Sequence, residues 1–129
     1  MAGVRRFTDL AAWQRAHELQ ILCNELLKTP VVRNDFRFRD QLSDAASSGT
    51  RNLAEGFGRF RPRENAQYVR VAKGSAHEVL ALLIEARMKG YIAAEKFADF
   101  ENAANRTIGT IVRYLRYLDR CDPAGPGKP

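Results

Sequence analysis

The sequence contains little cysteine, histidine, proline or glycine. Its 129 residues include two cysteines, two histidines, five prolines and nine glycines. Cys23 and Cys121 stand alone, without a CxxC spacing or a nearby histidine cluster, so we expect neither a disulfide framework nor a zinc site. The low proline and glycine content, together with an apolar fraction of 45%, argues against a disordered chain.

Long apolar runs are also missing. No run approaches the roughly 20 residues that span a bilayer. The opening residues, Met-Ala-Gly-Val-Arg-Arg, lead into polar residues and not into an apolar signal region. We therefore expect a soluble, cytoplasmic protein that binds no membrane. The length fits one domain and leaves no room for separate catalytic and regulatory domains.

Arginine is what the sequence has in excess. The chain carries 21 basic and 15 acidic side chains, a net charge of +6, and 16 of the basic residues are arginine. The excess is spread along the chain without a basic tail, so a positive surface has to come from folding or assembly. This balance permits a nucleic-acid or acidic partner without demonstrating one.

Apolar residues recur at spacings of three and four in four segments, which is the period of a helix face. The predicted helices cover residues 9–28, 35–57, 62–89 and 93–119. Pro30 is predicted to end the first helix, and no alternating strand pattern of useful length occurs. Four long helices with short links predict an all-α fold, an antiparallel up-down-up-down four-helix bundle.

The bundle is predicted to occupy residues 7–120 of the chain. Residues 1–6 are predicted to be a flexible N-terminus, and residues 121–129 a disordered tail rich in proline and glycine. Cys23 falls on the apolar stripe of the first helix and is predicted to be a small core residue.

The common metal and catalytic patterns are incomplete in this sequence. His17 and His77 are each followed by glutamate, but a zinc protease needs a second histidine four residues further on. Ile21 and Ala81 stand at those positions. We therefore predict no metal, no cofactor and no catalytic residue.

One enzymatic alternative stays open on the third helix. Arg70 and His77 are seven residues apart and share a helix face. The pair resembles the ribonuclease motif of four-helix-bundle domains found in prokaryotic toxins and abortive-infection proteins. There the arginine would hold a phosphate, and the histidine would act as general base toward a 2′-hydroxyl.

Polar residues also lie among small and apolar ones where the second and third helices are expected to meet. We interpret them as a hydrogen-bonded network that fixes the helix register, and a ligand or partner site is the alternative. The predicted network consists of Asn52, Glu55, Arg59, Ser75 and Glu78.

Two surfaces are candidates for binding. The predicted nucleic-acid contacts are Arg59, Arg61, Arg63, Arg113, Arg116 and Arg120; the alternative is an ordinary solvated surface with ion pairs. Apolar residues outside the main stripes predict an oligomer interface, and a broad core face is the alternative. The predicted interface residues are Tyr68, Val71, Leu82, Tyr114 and Tyr117.

Two motifs carry a family resemblance. They read Asn52-Leu53-Ala54-Glu55-Gly56-x-Gly58-Arg59 and Ala72-Lys73-Gly74-Ser75-Ala76-x-Glu78, and Phe7-x-Asp9-Leu10-x-x-Trp13-Gln14 opens the same region. Over about residues 7–118 the chain resembles the proteins encoded by intervening sequences in 23S ribosomal RNA genes. It departs from that pattern at three positions, Asp44 for a basic residue, Gly49 for a large aliphatic and Asn65 for an aromatic.

The resemblance implies an antiparallel four-helix bundle that assembles as a ring-like homopentamer. It also implies a relation to the accessory variability protein of diversity-generating retroelements, a basic pentamer that binds nucleic acid and its reverse transcriptase. No catalytic activity is established for the family. We therefore expect a non-enzymatic homo-oligomeric binding or scaffold protein, with RNA or DNA as the leading partner and a protein-only scaffold as the alternative.

Overall fold

The computed structural model describes residues 3–122, and this part of the chain forms helices and turns without any strand. A 3₁₀ turn covers Phe7–Asp9. Five α-helices follow, α1 (Ala11–Leu27), α2 (Pro30–Arg33), α3 (Phe36–Phe57), α4 (Pro62–Met88) and α5 (Ala94–Cys121). The predicted all-α helical bundle is confirmed. None of these helices is both long and apolar enough to cross a membrane.

The start of the chain differs from the predicted helix limits. The first helix begins at Ala11 and not at residue 9, because Phe7–Asp9 closes a separate 3₁₀ turn. Pro30 does not simply follow the first helix. It opens the four-residue α2, at the first helical position, where its missing N–H costs no hydrogen bond.

The C-terminal part of the described chain is more ordered than predicted. Cys121, which was assigned to the tail, is the last residue of α5, and Asp122 is the C-cap of that helix. The predictions made for residues 1–2 and 123–129 lie outside the described residues.

The long helices pack around a shared core. α4 lies against α3 and α5, and α1 lies against the same two helices. Lys89 after the end of α4 contacts Asp35 at the start of α3, and Arg70 near the start of α4 contacts Asp119 near the end of α5. α4 therefore runs in the opposite direction to both of its neighbours.

The core consists of two apolar clusters, one toward each end of the bundle. Phe38, Leu42 and Leu83 are fully buried in the cluster near α2, which we call the α2 end. The other cluster contains Leu53 and Ile111. Cys23 is completely buried in the first cluster, as predicted, and burial raises the pKa of its thiol to about 12.

α3 and α4 approach each other closely at Gly56. An alanine Cβ at this position would lie 2.5 Å from Asn65 Oδ1, 2.9 Å from Tyr68 Cβ and 3.1 Å from the Asn65 carbonyl oxygen. Such short distances cannot be accommodated without moving a helix backbone, so the approach requires glycine.

We expect Gly56→Ala to lower the free energy of unfolding by about 1–3 kcal/mol, because the added methyl group overpacks the α3–α4 contact. Gly74→Ala is the matched control. Gly74 is also inside a long helix, but nothing lies within 4 Å of an added Cβ there. That substitution should stabilise the protein by about 0.5–1 kcal/mol through helix propensity. Denaturant unfolding followed by circular dichroism measures both values, and equal effects would contradict the close approach.

Hydrogen bonds around Asp35 close the α2 end. Its Oδ1 accepts from the Phe38 N–H at 3.3 Å and caps α3. Its Oδ2 accepts from Tyr91 Oη at 2.7 Å and from Lys89 Nζ at 3.1 Å. These bonds from Tyr91 and Lys89 hold the pKa of the Asp35 carboxyl below its ordinary value of 3.8. The carboxylate thus ties the start of α3 to the α4–α5 turn.

We expect Asp35→Asn to lower the thermal unfolding midpoint at neutral pH. Because the folded-state pKa lies below the unfolded one, the carboxylate stabilises the fold above the unfolded pKa. That contribution is lost as the pH falls through the folded pKa, so the variant and the wild type should converge in acid. Asp40→Asn, which removes an exposed carboxylate bonded to Arg39, is the control and should have little effect. A difference that stays constant into acid would contradict a role for the charge.

Candidate nucleic-acid interface

Three separate segments meet at the end of the bundle opposite α2. They are residues 3–10, the α3–α4 turn with its flanks (residues 55–66), and the last turns of α5 (residues 111–122). Arg63 Nε donates to Asp122 Oδ2 at 3.2 Å, which joins the start of α4 to the end of α5. Val4 packs on the apolar cluster beneath them.

Every basic residue in these three segments is an arginine. They contain eight arginines, no lysine and five carboxylates. We call this surface the arginine end. Its arginines are Arg5, Arg6, Arg59, Arg61, Arg63, Arg113, Arg116 and Arg120, and its carboxylates are Asp9, Glu55, Glu64, Asp119 and Asp122.

The predicted nucleic-acid residues all lie at the arginine end, and they fall into two groups. Arg59 and Arg63 are held by neighbours; Arg59 Nη2 donates to Glu55 Oε1 at 2.9 Å and to Tyr68 Oη at 2.6 Å. The other four are exposed and make no ion pair with any carboxylate of residues 3–122. These exposed arginines are Arg61, Arg113, Arg116 and Arg120.

The predicted polar network is divided in the structure. Asn52 Nδ2 donates to the Ser48 carbonyl oxygen at 2.8 Å, and Ser75 Oγ donates to Ser48 Oγ at 2.8 Å. This group links α3 to α4 through Ser48, a residue that the prediction missed although it lies one helical turn before Asn52. Glu55 and Arg59 form the second group with Tyr68.

Glu78 lies outside both polar groups. It is exposed on α4, and no polar contact joins it to either group within the described part of the chain. Its place in the family motif therefore has no counterpart in the hydrogen bonds of residues 3–122.

Two of the predicted interface residues are buried in the core of the single chain, which corrects their assignment to an interface. Leu82 is 8% exposed and belongs to the core near α2, and Tyr114 is 7% exposed in the other cluster. The apolar faces of α4 and α5 are wider than the stripes read from the sequence, because each helix packs against two neighbours. Tyr68 and Tyr117 are half-buried, and Val71 is 52% exposed.

A cavity of about 210 Å³ opens at the arginine end. Its apolar lining includes Phe57, Pro62 and Leu118, and Arg59 and Arg61 stand at its rim. Of the four exposed arginines only Arg61 lines the cavity, which gives this end of the bundle a depression with largely apolar walls.

Two polar side chains meet beneath this depression. Asn65 Nδ2 donates to Tyr114 Oη at 2.9 Å. Burial raises the pKa of the Tyr114 hydroxyl, and the bond from Asn65 opposes that rise. Asn65 therefore fills the place of the expected aromatic with a hydrogen bond to a tyrosine of α5.

Phe60 is the residue of this site that sequence reasoning missed. Its side chain is 99% exposed in the α3–α4 turn, between Arg59 and Arg61. The available signal was its position: an aromatic residue in a short turn before Pro62 has no helix face on which to pack.

The Arg70 and His77 pair lies along the outside of α4. Both residues are exposed, about 10 Å apart along the helix axis. Arg70 Nη2 donates to Asp119 Oδ1 at 3.1 Å. Among the described residues there is no group of three or more histidine, cysteine or acidic side chains placed to hold a metal ion.

The family model described as 23S rRNA-intervening sequence protein matches residues 8–113, which is most of the described bundle. No curated protein matches the chain. The relation to the retroelement accessory protein stays a prediction. The chain belongs to the family of 23S rRNA-intervening sequence proteins.

Proposed function

We propose that this protein is a non-enzymatic, cytoplasmic, homo-oligomeric scaffold that binds RNA or DNA. The observation that carries the proposal is the arginine end, where three segments that are distant in sequence contribute eight arginines to one end of the bundle. Five of them, Arg5, Arg61, Arg113, Arg116 and Arg120, have no carboxylate partner among residues 3–122. Such guanidinium groups can contact phosphates without first breaking an ion pair.

The choice of arginine supports a phosphate-bearing partner. A guanidinium group offers a planar fork of donors that matches two phosphate oxygens and is less strongly hydrated than an ammonium group. A surface that served only for solubility would gain as much from lysine. The complete absence of lysine from the arginine end therefore favours a binding role over a solvated surface.

Assembly would multiply this surface. We propose a homopentamer, and five copies would together carry a formal charge of +30. A cyclic ring joins two different surfaces of each subunit, so it needs apolar area on more than one helix. Exposed apolar side chains are available on two of the long helices: Ile21 on α1, and Val71, Ile84 and Met88 on α4.

We expect the protein to bind RNA with an affinity that falls as salt concentration rises. Each arginine that contacts a phosphate should account for about 0.7–0.9 of the slope of log affinity against log salt. The triple variant Arg61→Ala/Arg116→Ala/Arg120→Ala should therefore bind more weakly and with a shallower slope. Fluorescence anisotropy at several salt concentrations measures both, and the recovered RNA should remain intact.

The matched control removes the same charge from the α2 end. Arg33→Ala/Arg37→Ala/Arg87→Ala deletes three exposed arginines there and should leave the slope close to that of the wild type. Equal losses in both variants would mean that net charge, and not the arginine end, is responsible. Salt-independent or absent binding by the wild type would leave a protein-only scaffold, and cleavage of the RNA would contradict the non-enzymatic assignment.

We expect light scattering to give a mass near five times the 14.6 kDa of one chain. Val71→Glu should shift the protein toward the single-chain mass, because the new charge would be buried in the proposed contact. Val31→Glu is the control: Val31 is also 52% exposed but lies on α2. A wild-type mass of one chain at micromolar concentration would contradict the oligomer, and equal dissociation by both variants would remove Val71 from the contact.

A further inference from the structure

Phe60 is the most exposed large apolar side chain in the described part of the protein. It is 99% exposed, whereas the next, Met88, is 82% exposed. A phenyl ring that remains wholly in water contributes nothing to the packing of this subunit. The backbone that carries it is nevertheless held in a turn, because the Arg59 N–H bonds to the Gly56 carbonyl and Pro62 begins α4.

The neighbours of Phe60 indicate an anionic partner. Arg59 is pinned by Glu55 and Tyr68, with its guanidinium 4.9 Å from the centre of the Tyr68 ring. Arg61, on the other side, is exposed and has no carboxylate partner in residues 3–122. The ring also borders the 210 Å³ cavity of the arginine end. An apolar face is thus presented within a positive field.

Single-stranded nucleic acid combines the two properties that this surface would recognise. Its phosphates are anionic, and its unpaired bases expose flat aromatic faces that stack on protein aromatics. In a duplex those faces are already covered by neighbouring bases. An acidic protein would match the arginines but would not require a solvent-facing ring beside them.

We propose that Phe60 is a stacking platform for an unpaired base of single-stranded RNA or DNA, with Arg61 on the adjacent phosphate. This inference rests on the proposed function and narrows it to single strands. The ring lines the same cavity as Tyr117 and Leu118 of α5, so a strand bound by the arginines of α5 can also reach it.

The test compares single-stranded and duplex RNA of one length on the full chain. Phe60→Ala should lower the affinity for the single strand by about 5- to 150-fold and leave the affinity for the duplex unchanged. The salt slope should not change, because no charge is removed. Phe60→Trp should retain or strengthen single-strand binding. Phe36→Ala is the matched control, since Phe36 is 64% exposed and lies beside Arg39 but belongs to the α2 end.

The other outcomes show whether this inference fails alone or together with the proposed function. If the wild type binds neither RNA in a salt-dependent way, the proposed function fails and the stacking role fails with it. If the wild type binds but Phe60→Ala binds the single strand equally well, only the stacking role is overturned. A parallel loss of duplex binding would overturn the single-strand preference. A lower oligomer mass for Phe60→Ala would place the ring in a subunit contact and overturn its role as a platform.

Discussion

α4 lies against α3 across small side chains, and at Gly56 the two helices are so close that not even a methyl group fits between them. The short turn of residues 58–61 depends on this contact, because α4 has to reverse direction while it stays beside α3. Arg59, Phe60 and Arg61 occupy that turn. The close packing at Gly56 therefore helps to determine where this turn lies.

The packing of α5 against α4 brings distant arginines together. The arginines of the α5 end and of the α3–α4 turn are about fifty residues apart in the chain, and they meet because α5 returns beside the start of α4. The bonds from Arg63 to Asp122 and from Arg70 to Asp119 hold that pairing together. Arg63 and Arg70 therefore hold α4 beside the end of α5, and other arginines remain exposed there.

Helices were predictable here because apolar residues repeat with a period that only a helix produces. A four-residue helix such as α2 is too short to show a period, and Pro30 carries the same signal at the end of one helix as at the start of the next. Leu82 and Tyr114 were wrongly assigned to an oligomer interface, because the spacing of apolar residues does not show how wide the buried face of a helix is. The arginines of the site could be predicted because arginine is abundant in the sequence. Their convergence could not, because it depends on contacts between residues far apart in the chain. Phe60 was missed because a phenylalanine is first interpreted as a core residue, although its position in a short turn before Pro62 leaves it no helix face on which to pack.

The burial of Cys23 has a practical consequence for studying the molecule in solution. With its thiol at 0% exposure and its pKa raised to about 12, this cysteine is shielded from alkylating reagents while the bundle is folded. Cys121 is exposed and lies on the lining of the cavity at the arginine end. Of the two cysteines, only Cys121 is therefore accessible for labelling with a fluorophore. A fluorophore there would lie at the arginine end and could report binding to it.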